Sequence, residues 1–295
     1  MSDSFSSYHP FVNFFYFAVV IISSMFFSNP ILLLISLIVG FSYSIYQNGI
    51  KAFKFNLMFS LPTVIFIAIL NPLFNHEGAT ILFYLNDNPI TMESIIYGIS
   101  SAIMFCSVII WFSCYNSIMS SDKFIYLFGK IIPSLSLIFS MTLRFVPKFK
   151  AQAKVISNAQ KCIGRDVSQG NILKRIKNAI TILSILTTWA FENAIETADS
   201  MKCRGYGLKG RTAFSNYNFR KRDMTAFLVM ALLSIIIIIG FFLGVSSARY
   251  FPTIEFKIPN AFAVIVYFAY FLLLSLPLVI NFMEDIKWKY LKSKI

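Results

Sequence analysis

Residues 224–245 read MTAFLVMALLSIIIIIGFFLGV, and no charged side chain interrupts this run. A helix that crosses the hydrocarbon core of a bilayer needs about 20 consecutive apolar residues, so the run is long enough to span a membrane. Asp223 stands directly before it and suits the N-cap position of such a helix. We therefore expect a membrane-spanning helix here.

Five further apolar runs near this length recur along the chain. They are Phe11–Phe27, Ile31–Tyr46, Leu57–Phe74, Ile95–Met119 and Ala261–Met283. Ser28-Asn29-Pro30 separates the first two runs, which predicts a helical hairpin. Three prolines within the later runs are expected to kink or end their helices: Pro62, Pro72 and Pro277.

Composition excludes a soluble domain. The 295-residue chain is 57% hydrophobic and only 13% charged, whereas a soluble domain of this size needs far more polar surface. The fold class that follows is an all-α, polytopic membrane protein with about six transmembrane helices. The first residues, MSDSFSSYHP, contain neither a basic region nor a cleavage motif, so no removable signal peptide is expected.

The distribution of basic residues predicts the orientation in the membrane. Residues 121–223, called the insert below, hold 18 of the 26 Lys and Arg residues, and the tail IKWKYLKSKI holds four more. The segment Asn75–Ser94 has three acidic residues and no basic one. We expect both termini and the insert on the cytoplasmic side of the membrane. The domains are then residues 1–120, the cytoplasmic insert 121–223, and residues 224–295.

The insert contains two further apolar stretches, Ile131–Val146 and Ile172–Ile195. Spanning by both would move five basic residues of their connection to the outside and place Arg144 in the membrane, at about 2.5–3.5 kcal/mol near the centre. Both are therefore predicted to be cytoplasmic or interfacial amphipathic helices.

Charges on the two insert helices suggest that the helices cross. A basic stripe at helical spacing lies on the first: Lys150, Lys154, Asn158, Lys161 and Arg165. Glu192, Glu196 and Asp199 lie near the C-terminal end of the second, where acids oppose the helix dipole. One hypothesis pairs the stripe with these acids, and the alternative is that both sets only solvate exposed faces.

Residues 200–212, SMKCRGYGLKGRT, contain the pattern G-x-G-x-x-G. A dinucleotide loop must follow a strand and open a helix, but this segment follows a long helical pattern, so we reject that match. The plainer interpretation is that Gly205 ends a helix whose dipole favours the cation Arg204. No phosphate-binding loop, C-x-x-C pair, ligand-like histidine spacing or nucleic-acid motif occurs, so no cofactor, metal site or nucleic-acid partner is expected.

Residues 198–206, ADSMKCRGY, resemble the arginine signature of the T component of energy-coupling-factor (ECF) transporters, the CbiQ-type family. LRFVP at 143–147 resembles a second family segment, and His9-Pro10 fits its start. The resemblance implies a non-catalytic scaffold in a bacterial plasma membrane that joins two ATP-binding-cassette (ABC) ATPase subunits to a membrane-embedded S component carrying a vitamin or metal ion. Residues 121–223 would then be its coupling insert. It further implies ATPase-coupling residues (Arg204, Cys203, Gly205, Arg165 and Gly164) and supporting residues (Arg144, Pro147, Glu192, Glu196 and Asp199).

The sequence departs from the family at the first of its two usual arginine signatures. Residues 159–165 read AQKCIGR, with Ile163 where arginine is expected; Arg165, two residues on, is the substitute that the sequence offers. Two other functions stay open: a secondary transporter or channel, and a membrane enzyme built on the acidic cluster of Glu192, Glu196 and Asp199. The predicted spans hold almost no ionisable residue, which disfavours the former.

Overall fold

A computed structural model describes residues 3–85, 88–129, 132–208, 217–254 and 260–292. Four features named above lie outside these ranges: Asp87 of the acidic segment, the predicted helix start at Ile131, the third glycine of the rejected nucleotide pattern (Gly210), and residues 293–295 of the basic tail.

The described chain is almost entirely α-helical, which confirms the predicted all-α class. A 3₁₀ turn, Ser4–Ser7, precedes the helices. These are α1 (Pro10–Phe26), α2 (Pro30–Asn48), α3 (Ile50–Phe74), α4 (Met92–Ile118), α5 (Ser121–Gly129), α6 (Pro133–Cys162), α7 (Ile172–Cys203), α8 (Lys221–Phe242) and α9 (Ala261–Lys292). A short hairpin of β1 (Ile81–Leu85) and β2 (Asn88–Thr91) lies between α3 and α4.

Five of the described helices are long and apolar enough to cross a membrane: α2, α3, α4, α8 and α9. Helix α1 is also apolar but has only 17 residues. These six helices coincide with the six predicted runs, although α3 begins at Ile50 and α9 continues to Lys292. By the same criterion of length and apolar composition, α6 and α7 do not qualify, as predicted for the insert.

Local chemistry explains where the helices begin. The Asn29 side chain accepts the Ile31 N–H (3.0 Å) and caps α2, so the three residues between α1 and α2 form the predicted tight break. Asp223, however, is not the N-cap that the sequence predicted. It is the third residue of α8, and its carboxylate accepts the backbone N–H of the N-cap Arg220 (2.9 Å), because the helix starts one turn earlier within the basic segment.

The prolines within the predicted membrane spans do not end their helices. Pro62 and Pro72 lie inside α3, and Pro277 lies inside α9. A proline removes one backbone hydrogen bond, but a membrane offers the chain no better partner for its polar groups than continued helix. The alternative that these prolines terminate the helices was therefore wrong.

Two elements were not foreseen from the sequence. The acidic segment forms β1 and β2, which pair antiparallel, and the Glu93 carboxylate accepts the Thr80 hydroxyl (2.8 Å) beside them. Helix α5 follows α4 after two residues. Both elements are short, and a periodic apolar pattern is weak over so few residues.

Helix α4 packs against α1, α2 and α3, and α9 packs against α2 and α8. Trp111 of α4 is fully buried, and its Nε1 donates to Ser36 Oγ of α2 (3.0 Å). Gly240 lets α8 approach α9 closely, since a Cβ there would lie 2.7 Å from the Val266 side chain. Such close contacts between small and polar residues hold membrane helices together.

The chain divides into two compact units. The membrane unit comprises residues 1–123 and 217–295, and the inserted unit comprises residues 124–216. Each is described separately below.

Candidate functional site

The first predicted motif lies where α6 ends in the inserted unit. Ile163 is the C-cap, and Gly164 follows it in the left-handed region with φ +79°. The Gly164 N–H donates to the Lys161 carbonyl (3.0 Å), and the Arg165 N–H donates to the Gln160 carbonyl (2.9 Å). In these two hydrogen bonds, residues after the cap donate to carbonyls of the last helical turn, and together they form a Schellman motif. The motif satisfies carbonyls that the end of a helix leaves free.

The second predicted motif ends α7 in the same way. Arg204 is the C-cap, and Gly205 follows it with φ +75°. The Gly205 N–H donates to the Lys202 carbonyl (2.9 Å), and the Tyr206 N–H donates to the Met201 carbonyl (3.0 Å). The backbone therefore repeats the Schellman motif of α6 position by position, from KCIGR at 161–165 to KCRGY at 202–206.

This repeat fixes which residues correspond. Ile163 occupies the position of Arg204, and Arg165 occupies the position of Tyr206. Ile163 is 63% exposed, and Arg204 is exposed as well. Within the described ranges no hydrogen bond or ion pair engages the Arg204 guanidinium. At the cap position, the end of α6 thus presents an exposed apolar side chain and the end of α7 an exposed cation.

The two cysteines of the repeat, Cys162 and Cys203, are the last residues of their helices and have free, exposed thiols. The glycines after the caps are suited to their positions because a left-handed conformation costs a residue with a Cβ about 1–2 kcal/mol. Placement at the C-terminal end of α7 also disfavours nucleotide binding by Gly205 and Gly207, since phosphates bind the N-terminal ends of helices.

The segment after α6 is held against α7. Asp166 accepts the Ser168 N–H (3.0 Å) and hydroxyl (2.7 Å) and pairs with Lys161 (3.4 Å), while its carbonyl accepts the buried Asn178 side chain (2.9 Å). Hydrogen bonds from Ser168 hold the pKa of Asp166 below its ordinary value; Lys161 adds to this effect, and partial desolvation opposes it. The end of α6 is therefore tied to the start of α7.

The predicted pairing of the basic stripe with the acids of α7 does not occur among the described residues. Glu192 and Glu196 are exposed and take part in no ion pair there, and Asp199 pairs with Lys202 of its own helix (3.9 Å). Exposed pairs of this kind contribute little to stability. The alternative interpretation, that these acids lie on a solvated face, describes the structure.

Other residues join α6 to α7. Lys148 Nζ donates to Asn193 Oδ1 and lies over the Trp189 ring, 5.3 Å from its centroid. The Phe149 ring meets the edge of Trp189 with 5.6 Å between centroids. The contact between α6 and α7 is thus formed by a cation and two aromatic rings, where the sequence predicted ion pairs.

The remaining predicted site residues lie along α6. Arg144 is exposed on that helix one turn before Pro147, which is also exposed and lies inside the helix. Asp166, Asn178 and Trp189 were missed as site residues. The sequence D-V-S at 166–168 was a usable signal, because aspartate often binds the backbone two residues later in a turn. The described ranges contain no group of three or more His, Cys, Asp or Glu residues that could hold a metal ion.

Comparison with known proteins places this chain in a family. Residues 9–214 match the CbiQ family, described as "Cobalt transport protein". Energy-coupling factor transporter transmembrane protein EcfT 1 of Listeria monocytogenes is 25% identical over 236 residues, covering 75% of this chain and 86% of that protein. The EcfT protein of Streptococcus equi is 28% identical over 227 residues, covering 70% and 80%.

A shorter match is more similar. The EcfT protein of Lactococcus lactis is 36% identical over 109 residues, which cover 37% of this chain and 41% of that protein. Because the family match spans most of the 295 residues, this chain belongs to the CbiQ family, and it is a transmembrane protein.

Proposed function

We propose that this CbiQ-family chain is the transmembrane coupling component of an ECF-type importer. The observation that carries the proposal is the pair of matching helix ends in the inserted unit, in a chain whose relatives are named as energy-coupling factor transporter transmembrane proteins. Two exposed ends with the same backbone on one chain suit two related partners. Those partners are two cytoplasmic ABC ATPase subunits.

Arg204 is the coupling contact in this proposal. Its backbone is fixed by the Schellman motif, while its guanidinium is free among the described residues. A free guanidinium at a rigid helix end is suited to a charge-assisted, bidentate contact with a carboxylate or with carbonyl groups. The excess of basic residues in the insert, 18 against six acidic ones, favours a partner surface with negative potential.

The other tasks of the importer fall to separate chains. ATP hydrolysis takes place on the ATPase subunits, and a membrane-embedded S component carries the vitamin or metal ion. The scaffold itself is non-catalytic, sits in the lipid bilayer with both termini cytoplasmic, and transmits the ATPase cycle to the S component. Domain limits near residues 120 and 223 separate its membrane helices from its coupling insert.

The rival functions have less support. A secondary transporter normally places ionisable residues within its spans, and the helices α2, α4 and α8 contain no Asp, Glu, Lys or Arg beyond their first turns. A membrane enzyme would need the acids of α7 to converge with others, whereas Glu192 and Glu196 are exposed and unpaired among the described residues.

The test compares the wild type with Arg204→Ala and Arg204→Lys at matched membrane abundance. Uptake into vesicles and the amount of co-purified ATPase are measured together. If Arg204 is a coupling contact, both variants lose uptake, since lysine keeps the charge but not the bidentate geometry.

Lys202→Met is the matched control, since Lys202 is exposed two residues away and, among the described residues, pairs only with Asp199 of its own helix. It should leave uptake and ATPase association unchanged. Wild-type uptake in both Arg204 variants would leave that arginine as a helix-end cation and remove the coupling role from it. Absence of any co-purified ATPase with the wild-type chain would contradict the proposed function as a whole.

A further inference from the structure

The chain leaves the membrane unit after Lys123 and returns to it at Tyr217. These two connections are more than 90 residues apart in sequence, and both are held by one segment of the membrane unit, Asp3–His9, which we call the clasp. The contacts on each side are side-chain contacts to different residues of the clasp, so a single short segment bridges both connections.

The first connection is held through Lys123. This lysine is 93% buried, with only 7% of its surface exposed. Its ammonium donates to the Ser6 carbonyl (2.6 Å), to the Ser6 hydroxyl (3.1 Å) and to the Ile118 carbonyl at the end of α4 (3.0 Å). Burial lowers the pKa of Lys123 and the charge of Asp3 opposes that shift. A buried ammonium with three acceptors is costly to displace.

The second connection is held through the first turn of α8. Arg222 donates to the Ser7 carbonyl (3.1 Å) and hydroxyl (3.2 Å), and its guanidinium lies 4.4 Å from the centre of the Tyr8 ring. The Asp223 carboxylate accepts the His9 N–H (3.3 Å). Charge-assisted hydrogen bonds of this kind are stronger than neutral ones.

The clasp is itself anchored to the membrane helices. Asp3 accepts the Tyr43 hydroxyl of α2 (2.9 Å) and the Asn281 amide of α9 (2.8 Å). Phe5 is fully buried in the hydrophobic core, and its N–H donates to the Asn281 side chain (3.1 Å). The clasp is therefore a packed part of the membrane unit and not a loose end resting on it.

We infer that the clasp couples the two connections of the inserted unit mechanically, so that loosening one connection loosens the other. Lys123 and Arg222 are its positioning residues. The clasp has seven residues, is hydrogen-bonded to both connections and is packed against the membrane helices. A segment so short and so constrained has little freedom to lose its contacts with one connection alone. The importance of this coupling for transport rests on the proposed function, because only a scaffold that passes motion through the insert needs its two connections to move together.

The inference is tested by hydrogen–deuterium exchange on the purified chain with its partners. Lys123→Met keeps the length of the side chain but removes the three hydrogen bonds. Exchange should rise about tenfold at residues 119–125 and also at 217–224, to which Lys123 makes no hydrogen bond or ion pair among the described residues; tenfold corresponds to about 1.4 kcal/mol of local opening. The reciprocal variant, Arg222→Met, should raise exchange at residues 119–125.

Lys221→Met is the control, because the same substitution is made beside Arg222 at an exposed lysine. It should change exchange at neither connection. Faster exchange confined to the mutated side, in either Lys123→Met or Arg222→Met, would overturn the inference. If one of the two variants fails to fold, the other decides the question by itself.

A second measurement connects the clasp to transport. In the reconstituted complex, Lys123→Met should lower uptake per ATP hydrolysed several-fold while ATP hydrolysis and ATPase association stay at wild-type levels. A clasp with a purely static role would lower abundance or thermal stability and leave that ratio unchanged, and this result would overturn its role in coupling. Failure of the proposed function shows itself separately, as a wild-type chain that binds no ATPase.

Discussion

The ends of α6 and α7 share one backbone and differ in two exposed side chains, one at the cap and one two residues later, where Arg165 stands in α6 and Tyr206 in α7. Both helices close with a cap residue, a left-handed glycine and the same two hydrogen bonds of the Schellman motif. The cap is Ile163 in α6 and Arg204 in α7. The glycine sets the shape of each end, whereas the cap residue sets what the end can bind, so the two ends are equal in form and unequal in chemistry.

Among the described residues, the segments that follow the two ends also make different contacts. Asp166 and Asn178 tie the segment after α6 to α7. After α7, the described chain continues only to Leu208, with a single turn closed by the Leu208 N–H and the Gly205 carbonyl (3.3 Å). An apolar cap residue and a charged cap residue suit different surfaces on the two partners of the proposed function.

The largest effect is expected from exchanging the caps. Arg204→Ile should weaken ATPase association by roughly 2–5 kcal/mol, because a partner group that had paired with the guanidinium is left unpaired. Adding Ile163→Arg should not restore it, since the arginine then lies on the other helix end. For the single and the double variant, the amount of co-purified ATPase and the uptake into vesicles are measured. Full recovery in the double variant would mean that the two ends are interchangeable.

A smaller effect is expected from the glycines. Gly164→Ala and Gly205→Ala should each loosen their helix end by about 1–2 kcal/mol, because both positions have positive φ. Gly205→Ala should cost more, since its Cβ would lie 3.1 Å from the Leu208 side chain, whereas nothing lies within 4 Å at Gly164.

Hydrogen exchange over the last turns of α6 and α7 measures these two costs separately. Asparagine is the control at each position, because it tolerates the left-handed conformation better than alanine. Equal exchange in the alanine and asparagine variants would contradict the role given to positive φ.

The smallest effect is a pH dependence at the end of α6 alone. The pKa of Asp166 is lower in the folded chain than its value of about 3.9 in an unfolded one. The carboxylate therefore stabilises the segment fully above the unfolded pKa, and this contribution is lost as pH falls through the folded pKa. Exchange at residues 163–171, corrected for intrinsic pH dependence, should rise over that acidic window.

Asp166→Asn should remove this pH response, because the amide does not titrate. Asp199→Asn is the matched control on α7, where the aspartate is exposed and its one ion pair within the described ranges is with Lys202. It should leave exchange at residues 163–171 unchanged. An identical acid response in Asp166→Asn would show that another group is responsible.

Much of the fold was predictable from the sequence because its signals are local. The six apolar runs match six helices, and the break at Asn29 and the glycines at 164 and 205 mark real helix ends. The partners of charged residues were not predictable in the same way. Lys148 contacts Trp189 and Asn193. Asp223 is the third residue of α8, where its carboxylate accepts the backbone N–H of the N-cap residue, and it is not the N-cap itself.

The sequence by itself determined the membrane-spanning segments and the places where helices stop. A span must satisfy its own backbone within lipid, so about 20 apolar residues are sufficient evidence for one, and a left-handed cap depends mainly on a single glycine. The tertiary structure alone decided which distant side chains meet, such as Lys123 with Ser6 and Arg222 with Ser7. Those contacts depend on how the helices pack and in which direction each side chain projects, and a hydrophobic pattern records neither.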